Sequence, residues 1–492
     1  MENIKKQKNF LLILFICIFF IKGLIYAVYI TPPAMGTAPD DVGHLSYIQY
    51  IASEKKLPVL HITSLENITT QSWNLYQNRQ YQDYIHLEIR DEAFDKSNGK
   101  NWIAQHPPLY YLLMVPIYAF AKLFTNQLAL LIIVLRISTL LFGVASVYVI
   151  NRILDILEAD SIVRNCILIS FVFFTPIQYY FSNITNDSLL IFLCLLTLFF
   201  LLQYIYQKKQ KSFYLFVIGC TLVFLTKYTG ALVLIGYLLF LLYKSYKEYG
   251  IKYTTLLFCK GSIIGLALIS PLLIRNYTLY HAFFPVYDIN TRLYNYNIYQ
   301  FIAGGYINEL YRHLITLIGW TTMIAAPRFI CVLVAMLVTS VAYLYCLDIK
   351  KNKSLIATVL LCFSFIFVAH YFLTIDWSAS LAITSGAVIL VCIFYKDSRL
   401  QHEKEIDVFF VTTIIIVFIV FAVQHYIIFC HRGHTGAMHG RYYYIAIFPM
   451  LYLIYNRLSH VHWKLKKYIP AVLMLIIMSC ELYMMKQCVI LW

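Results

Sequence analysis

The apolar run FLLILFICIFFIKGLIYAVYI, from Phe10 to Ile30, leads directly into TPPAMGTAPDDVGHLSYIQYI, from Thr31 to Ile51. The first run is long enough, and has few enough charges, to cross the hydrocarbon core of a membrane as a helix. Basic residues precede it and no small-residue cleavage site follows it, so the sequence predicts an uncleaved first span. The second stretch places two adjacent carboxylates, Asp40 and Asp41, where the chain leaves the membrane.

The composition of the whole chain is that of an integral membrane protein. Of its 492 residues, 61% are hydrophobic and only 13% are charged, whereas a soluble domain keeps about a quarter of its residues charged. The net charge of +15 is spread in short clusters between apolar runs, which indicates membrane orientation signals and argues against a nucleic-acid partner. The 12 cysteines lie almost entirely in apolar runs, so no disulfide framework or zinc knuckle is predicted.

The apolar runs predict an all-α integral membrane protein of about 13 transmembrane helices, forming a single polytopic domain over residues 1–492. The predicted spans lie near 10–30, 128–150, 162–181, 187–206, 212–227, 230–243, 255–275, 314–346, 354–373, 380–395, 407–429, 441–456 and 468–485.

The segment 107–125 reads PPLYYLLMVPIYAFAKLFT. Whether it spans the membrane decides on which side of the membrane every later loop lies. If it lies in the outer interface, 22 Lys and Arg residues face the side of the N-terminus and 7 lie in the shorter outer segments. Positive residues favour the cytoplasm, so we predict a cytoplasmic N-terminus. The large first outer loop then runs over 31–127, with interfacial helices at about 41–56 and 107–125.

With this topology, polar side chains collect at the outer ends of the predicted spans. Such a pattern favours a polar cavity that opens outward, although span ends are also where charges cost least. The residues concerned are Asp40, Asp41, His44, His106, Asn183, Asn186, Asp187, Lys227, Arg275, Asn276, Asp288, Asp376, His431, Arg432, His434, His439 and Arg441.

The acidic pair has more than one explanation. Apolar residues recur at every third position from 42 to 51, which predicts a helix lying on the membrane with Asp40 or Asp41 as its N-cap. Capping accounts for one acid and less well for the second, and a carboxylate at a wet membrane surface can accept a proton from an attacking hydroxyl. His44, one turn further on, can share a site with either acid or can be an interfacial histidine.

Three cations, Lys227, Arg275 and Arg441, each lie at a predicted outer span end. Such groups bind anionic substrates, and arginine binds phosphate through a bidentate fork, although cations at helix ends also serve as anchors. His106 and Gln105 precede two prolines that can start an interfacial helix. They either face the same cavity or are simply solvated.

The sequence assigns no metal ligand. His431, His434 and His439 follow an H-x2-H-x4-H spacing that matches no specific zinc pattern, and a divalent metal is left open. Neither G-x-x-x-x-G-K-[ST] nor G-x-G-x-x-G occurs, so a nucleotide-driven motor is not predicted.

Several short stretches resemble elements of the GT-C superfamily of membrane glycosyltransferases, in the usual order. PDDVGHLSYIQYI resembles their acidic element in the first outer loop, and QHPPLYYLL their juxtamembrane helix. FTPIQYYFSNITNDSLL, FLTKYTG, SPLLIRNYTLYHAFFP and HGRYYYIAIFPML are similar to later elements. Within the superfamily, the chain resembles the protein O-mannosyltransferases, the lipid A aminoarabinose transferases and a bacterial family of unassigned activity.

The resemblance implies an enzyme that inverts configuration as it moves a sugar from a polyprenyl-phosphate donor to a glycan, lipid or protein acceptor. The reaction would occur on the extracytoplasmic face, with an acid of the first loop as general base. The many Lys, Ile, Tyr and Asn residues indicate an AT-rich genome, from which we predict a bacterial plasma membrane. Asp40 matches the first acid, and Asp41 the second, where relatives usually have Glu.

The resemblance also implies substrate-binding residues. His106 occupies the place of a lysine near the lipid phosphate in the aminoarabinose transferases, and Gln105 replaces an acid linked there to metal. His44 and Asp187 are further substrate-binding candidates. Lys227, Arg275 and Arg441 are the predicted phosphate-binding residues.

Two other classes of protein stay open. A transporter should have an inverted repeat with broken helices at mid-membrane. No such repeat is evident, and few charges lie at mid-span, with Lys22 and Arg136 as the exceptions. A lipid-linked polysaccharide polymerase or ligase should have its large outer loop late in the chain, whereas here the large loop comes early.

Overall fold

A computed structural model describes residues 2–80, 83–286, 294, 296–302, 306–307, 309–310, 316–318, 324–325, 401–433, 439–456 and 467–491. The predicted spans 354–373 and 380–395, and most of the span 314–346, lie outside these residues. The candidate residues Asp288, Asp376 and His434 also lie outside them.

The chain divides into two compact units. The first comprises Met1–Ile156, Thr175–Asp288 and Ile318–Met323, and the second comprises Leu157–Phe174, Ile289–Leu317 and Ile324–Trp492. The organisation of residues 1–492 as one membrane domain stays a prediction.

Helices account for most of the described structure of the first unit. They are α1 (Glu2–Ile25), α2 (Asp41–Glu54), α3 (Asn67–Gln77), α4 (Leu109–Lys122), α5 (Leu128–Ile156), α7 (Thr175–Phe181), α8 (Asn186–Gln207), α9 (Gln210–Thr226) and α10 (Ala231–Tyr280). A π-helical turn, Tyr26–Ile30, extends α1. Non-helical dihedrals at Gly250 (φ 75°, ψ 177°) divide α10, between the predicted spans 230–243 and 255–275.

The remaining described elements are α6 (Ser161–Phe173), β1 (Thr316–Ile318), β2 (Ile324–Ala325), α11 (Ile298–Phe301), α12 (Gln401–Arg432), α13 (Ile447–Asn456) and α14 (Ile469–Leu491). The two short strands pair with each other. A 3-10 segment, Gly440–Ala446, leads into α13.

Five helical segments among the described residues are long and apolar enough to cross a membrane, or six if α6 and α7 together form one bent span. The five are Lys8–Ile30, Leu128–Ile156, Asn186–Gln207, Tyr228–Tyr280 and Lys404–Arg432. A predominantly helical, multi-span membrane protein is therefore confirmed, and the count of 13 spans stays a prediction.

Close helix contacts hold the first unit together, with α8 against α5 and α9, and α1 against α5. Two glycines permit this approach. A Cβ at Gly143 of α5 would lie 2.4 Å from a ring carbon of Phe19, and one at Gly219 of α9 would lie 2.5 Å from Thr197 Oγ1. Small residues at such contacts let helix backbones approach closely in membranes.

Helices occur in both places where the first loop was predicted to carry them. α2 covers most of the predicted 41–56, α4 covers most of 107–125, and the two pack against each other. At 1.5 Å per residue, the 14 residues of α4 extend only about 21 Å, less than the hydrocarbon thickness of about 30 Å. This length suits the predicted interfacial position, which stays a prediction.

Candidate active site

The acidic pair lies in a tight turn that connects the first span to α2. Asp40 occupies the N-cap position with a left-handed backbone (φ 60°, ψ 12°), and its side chain makes no capping hydrogen bond. Gly36 also has a positive φ, of 85°. Aspartate tolerates the left-handed region better than most residues, but the conformation still indicates a position that its surroundings constrain.

Asp41 is buried and directs its carboxylate back at the turn. The backbone N–H groups of Gly36 and Val42 each donate to Oδ1 at 2.8 Å, and that of Ala38 donates to Oδ2 at 3.1 Å. The Thr37 hydroxyl lies 3.4 Å from Oδ2. The N-cap prediction therefore holds for the position of Asp40 only, because the carboxylate that organises the turn is that of Asp41.

Burial has the largest effect on the pKa of Asp41. Desolvation raises the pKa of its carboxyl from 3.8 to about 6, although the three backbone N–H donors and the charge of Arg136 lower it. A carboxyl with such a pKa exchanges its proton near neutral pH. The same oxygens, however, are already hydrogen-bonded to the turn.

Asp40 is only partly buried. The indole Nε1 of Trp102 donates to its Oδ1 at 2.9 Å. Trp102 opens a 3-10 turn, Trp102–Gln105, which Asn101 caps by accepting from the backbone N–H of Ile103. A rigid turn 62 residues further along the chain therefore fixes the direction of the Asp40 carboxylate.

Arg136 of α5 holds the segment that leads into the acidic turn, a role that the sequence analysis did not predict. Its guanidinium is fully buried. It donates to four oxygens at 2.7–3.1 Å: the carbonyls of Ala27, Thr31 and Pro32, and Thr37 Oγ1. Its occurrence inside an apolar run was the available signal, because a buried cation in a span requires such partners.

Two histidines lie side by side next to the acids. The rings of His44 and His106 are nearly parallel, with centroids 6.4 Å apart. His44 Nδ1 and the Tyr111 hydroxyl are 2.9 Å apart. The Tyr111 ring stacks on that of Tyr47 at 3.8 Å, so α2 and α4 meet through an aromatic group that orients His44.

His106 interacts electrostatically with residues from distant parts of the sequence. Its pKa is lowered well below 6.5, first by desolvation and then by the positive charge of Lys227 and by His44. Asp187 and Asp40 oppose this effect. His106 is therefore neutral at pH 7, and it can donate an N–H to an anion but adds no positive charge.

Lys227 and Asp187 form a buried ion pair. The Lys227 ammonium lies 2.6 Å from Asp187 Oδ1, and the two side chains are 5% and 3% exposed. Asp187 lies in the first turn of α8, whose N-cap Thr185 accepts from its backbone N–H, and Lys227 ends α9 with an extended backbone. The pairing balances the charge of the predicted phosphate-binding lysine.

Arg275 lies near the end of α10 and contacts the first loop. Its Nη2 donates to the carbonyls of Pro58 at 2.8 Å and Leu57 at 3.4 Å, and the side chain is half-buried. Its charge also acts on Tyr47, whose pKa desolvation nevertheless raises. Arg275 therefore lies close enough to Tyr47 to act on it electrostatically.

Asn183 is buried in the turn that precedes α8. Asn186, the first residue of α8, is also buried. Their amides donate to the carbonyls of Tyr179 at 2.7 Å and Thr226 at 3.4 Å. Asn276 is also buried and donates to the Tyr228 hydroxyl and the Phe283 carbonyl, both at 2.9 Å. These asparagines hold the loops around the site together.

Arg441 belongs to the second unit. It is buried in the 3-10 segment, with its guanidinium 5.3 Å from the centroid of the Tyr442 ring. His439 immediately precedes this segment, while His431 and Arg432 end α12. Within the described residues, no group of three or more His, Cys, Asp and Glu is placed to hold a metal ion.

The structure thus brings together five predicted site residues that the sequence spreads over nearly 190 positions. Asp40, His44, His106, Asp187 and Lys227 interact with one another directly or through the electrostatic environment of His106. The assignments of catalytic and substrate-binding roles to them stay predictions.

A family model described as dolichyl-phosphate-mannose-protein mannosyltransferase matches residues 105–274. No curated protein matches the chain. The matched range is about one third of the chain, and it includes His106, Asp187 and Lys227 and ends one residue before Arg275. Over these residues the match confirms that the chain resembles the GT-C superfamily of membrane glycosyltransferases.

Proposed function

We propose that this chain transfers a sugar from a polyprenyl-phosphate donor to an acceptor on the extracytoplasmic face of the membrane, inverting the anomeric configuration. The observation that carries the proposal is the group of Asp40, His44, His106, Asp187 and Lys227. It combines a partly exposed carboxylate with hydrogen-bond donors and a cation, next to helices that span the membrane.

Asp40 is the general base of the proposed reaction. Its carboxylate is partly exposed, whereas the oxygens of Asp41 accept hydrogen bonds from the turn. Asp40 removes the proton of the acceptor hydroxyl as that oxygen attacks the anomeric carbon. The bond from the anomeric carbon to the phosphate oxygen breaks at the same time, and its electron pair leaves with the polyprenyl phosphate.

The leaving phosphate gains negative charge as this bond breaks. Groups that stabilise the charge in the transition state more than in the ground state accelerate the reaction. We assign this role to Arg275, with its half-buried guanidinium, to Lys227, and to neutral His106 as an N–H donor. Arg441 stays a predicted substrate-binding residue of the second unit, and no residue is assigned to a metal.

His44 and Asp187 have positioning roles in this proposal. His44 shares a hydrogen bond with Tyr111 and stacks against His106, so it fixes the ring that faces the phosphate. Asp187 holds the Lys227 ammonium at 2.6 Å, which keeps the cation in place before the donor arrives.

The test is a transfer assay with the full chain in detergent. The protein receives a panel of polyprenyl-phosphate sugars, and release of polyprenyl phosphate is followed beside direct measurement of donor binding. We expect the wild type to turn over one donor and Asp40→Asn to bind that donor without turnover. Full turnover by Asp40→Asn would contradict the assignment of the base, and a wild type that binds no donor would favour a transporter.

A further inference from the structure

Two tryptophans of the first outer loop lie beside the acidic turn and close to each other. Trp102 donates its indole N–H to Asp40, and the ring of Trp73 lies 6.4 Å from that of Trp102, tilted by 60°. The edge of Trp73 that carries Cδ1 and Nε1 faces Gly36, where an added Cβ would lie 2.5 Å from Cδ1. Trp102 therefore adjoins the carboxylate that we assign as the base, and Trp73 lies next to Trp102 and to the acidic turn.

Trp73 and Trp102 are both partly exposed, whereas aromatic side chains contribute most to stability when they are buried. Exposed aromatic surface beside a reactive group marks a place where a ligand packs. The helix that carries Trp73, α3, contains no charged residue. Its exposed side chains include the amides of Gln71, Asn74 and Gln77, which both donate and accept hydrogen bonds.

This combination matches the chemistry of a neutral sugar. A pyranose ring presents an apolar face of C–H groups, which packs on an indole, and a rim of hydroxyls, which pair with side-chain amides. A polyanionic ligand would require cations, and α3 has none.

A peptide acceptor would suit a different surface. Extended peptides commonly add to an exposed strand edge. Among the described residues of 31–127 there are only two isolated bridges, Ser64 with Lys100 and Glu88 with Gln127. This part of the loop therefore offers no strand edge for a peptide to extend.

We propose that Trp73 and Trp102 form an acceptor platform, and that the acceptor is a saccharide which stacks on these rings and presents a hydroxyl to Asp40. The role of Asp40 in this inference rests on the proposed function. The platform itself makes a separate prediction, because saccharide binding needs neither donor nor turnover.

The experiment measures binding of neutral trisaccharides to the full chain in nanodiscs free of glycolipids and sugar-headed detergents. The probes are glucose, mannose, galactose and N-acetylglucosamine trisaccharides, beside an uncharged serine-rich peptide, followed by calorimetry and tryptophan fluorescence. We expect at least one trisaccharide to bind, and Trp73→Ala to weaken its binding about tenfold. Trp73→Phe should retain most of the affinity, because it keeps an aromatic face.

Phe124→Ala is the matched control, since Phe124 is an aromatic residue of the same loop that is 75% exposed; it should bind the trisaccharide as the wild type does. Polyprenyl phosphate binding is measured in each preparation and should survive Trp73→Ala, which shows that the variant is folded. A wild type that binds polyprenyl phosphate but no trisaccharide overturns this inference and leaves the proposed function standing. Trp73-dependent binding of the peptide overturns it too, and assigns a protein acceptor.

Discussion

Asp40 and Asp41 are neighbours in the chain, yet their carboxylates lie in different surroundings. Trp102 donates one indole N–H to Asp40 at 2.9 Å, whereas three backbone N–H groups of the turn donate to Asp41. Asp40 is partly exposed and Asp41 is 2% exposed. This difference supports a chemical role for the first acid and a structural role for the second.

The first prediction separates these roles by substitution. Asp40→Asn should reduce sugar transfer by about 100-fold or more, the contribution typical of general-base catalysis, with little effect on thermal unfolding. Asp41→Asn should destabilise the protein by about 1–3 kcal/mol, because its amide N–H2 then faces backbone N–H donors. Thermal unfolding and donor turnover are measured on both variants. Loss of turnover in Asp41→Asn at wild-type stability would reverse the two assignments.

The second prediction concerns the pH dependence of stability through Asp41. Its folded pKa of about 6 exceeds the reference value of 3.8, so between these values the folded state binds more protons than the unfolded state. The contribution of Asp41 to stability is therefore greatest below pH 3.8 and is lost as pH rises through 6, by about 3 kcal/mol in total. The stability gap between wild type and Asp41→Asn should narrow over this range. If the gap widens with rising pH, the hydrogen bonds from the turn stabilise the charged form of Asp41 by more than burial destabilises it.

The third prediction tests the anchor beneath the turn. Arg136→Lys keeps the positive charge but cannot reach the four oxygens that the guanidinium contacts. Each buried carbonyl left without a donor costs about 1–3 kcal/mol, so the variant should unfold at lower temperature and transfer sugar more slowly. The control is Arg152→Lys in the same helix. The Arg152 side chain is 46% exposed and pairs with Asp155, and exposed pairs contribute little.

Equal effects of these two lysine substitutions would show that the guanidinium contacts are not what hold the turn. A loss of turnover confined to Arg136→Lys, with an unchanged unfolding temperature, would instead place Arg136 closer to the chemistry than its contacts indicate.

The fourth prediction follows from the lowered pKa of His106. Because the folded protein resists protonating this ring, the unfolded state takes up the proton first as pH falls below 6.5, and the folded state loses stability there. His106→Gln removes this effect and keeps an N–H donor, so it should be less sensitive to acid than the wild type and retain part of its turnover. His106→Lys should be worse than His106→Gln, because it places a cation beside Lys227. Equal turnover in the two variants would show that charge at this position is unimportant.

From the sequence, the helices and the individual residues of this site could be predicted better than the contacts between them. Periodicity predicted α2, and an apolar segment that begins with two prolines predicted α4. Span ends drew attention to Asp40, His106 and Lys227 individually. The pairing of Lys227 with Asp187 depends on how α8 and α9 pack against each other, which no local pattern encodes. The role of Arg136 likewise arises from a contact with a turn about 100 residues away.

Two further features escaped the sequence analysis for physical reasons. The different surroundings of Asp40 and Asp41 depend on the residue at which α2 begins, and helix boundaries are the least predictable part of a helix. Trp73 and Trp102 lie in a long polar loop without periodicity, so only tertiary structure could show that Trp102 contacts Asp40 and that Trp73 lies beside Trp102.

The last prediction concerns the ion pair of Lys227 and Asp187, which is buried and 2.6 Å long. Removal of one partner leaves the other charge buried, at a cost of about 3–5 kcal/mol. Asp187→Asn and Lys227→Met should each destabilise the protein strongly, and the double variant should be destabilised by less than the sum of the two. If Lys227 also receives the donor phosphate, polyprenyl phosphate should raise the unfolding temperature of Asp187→Asn by more than that of the wild type, because the anion replaces the missing carboxylate. Lys227→Met should lose this stabilisation. Additive effects in the cycle would show that the pair does not couple, and an equal response to polyprenyl phosphate in all variants would remove Lys227 from the phosphate site.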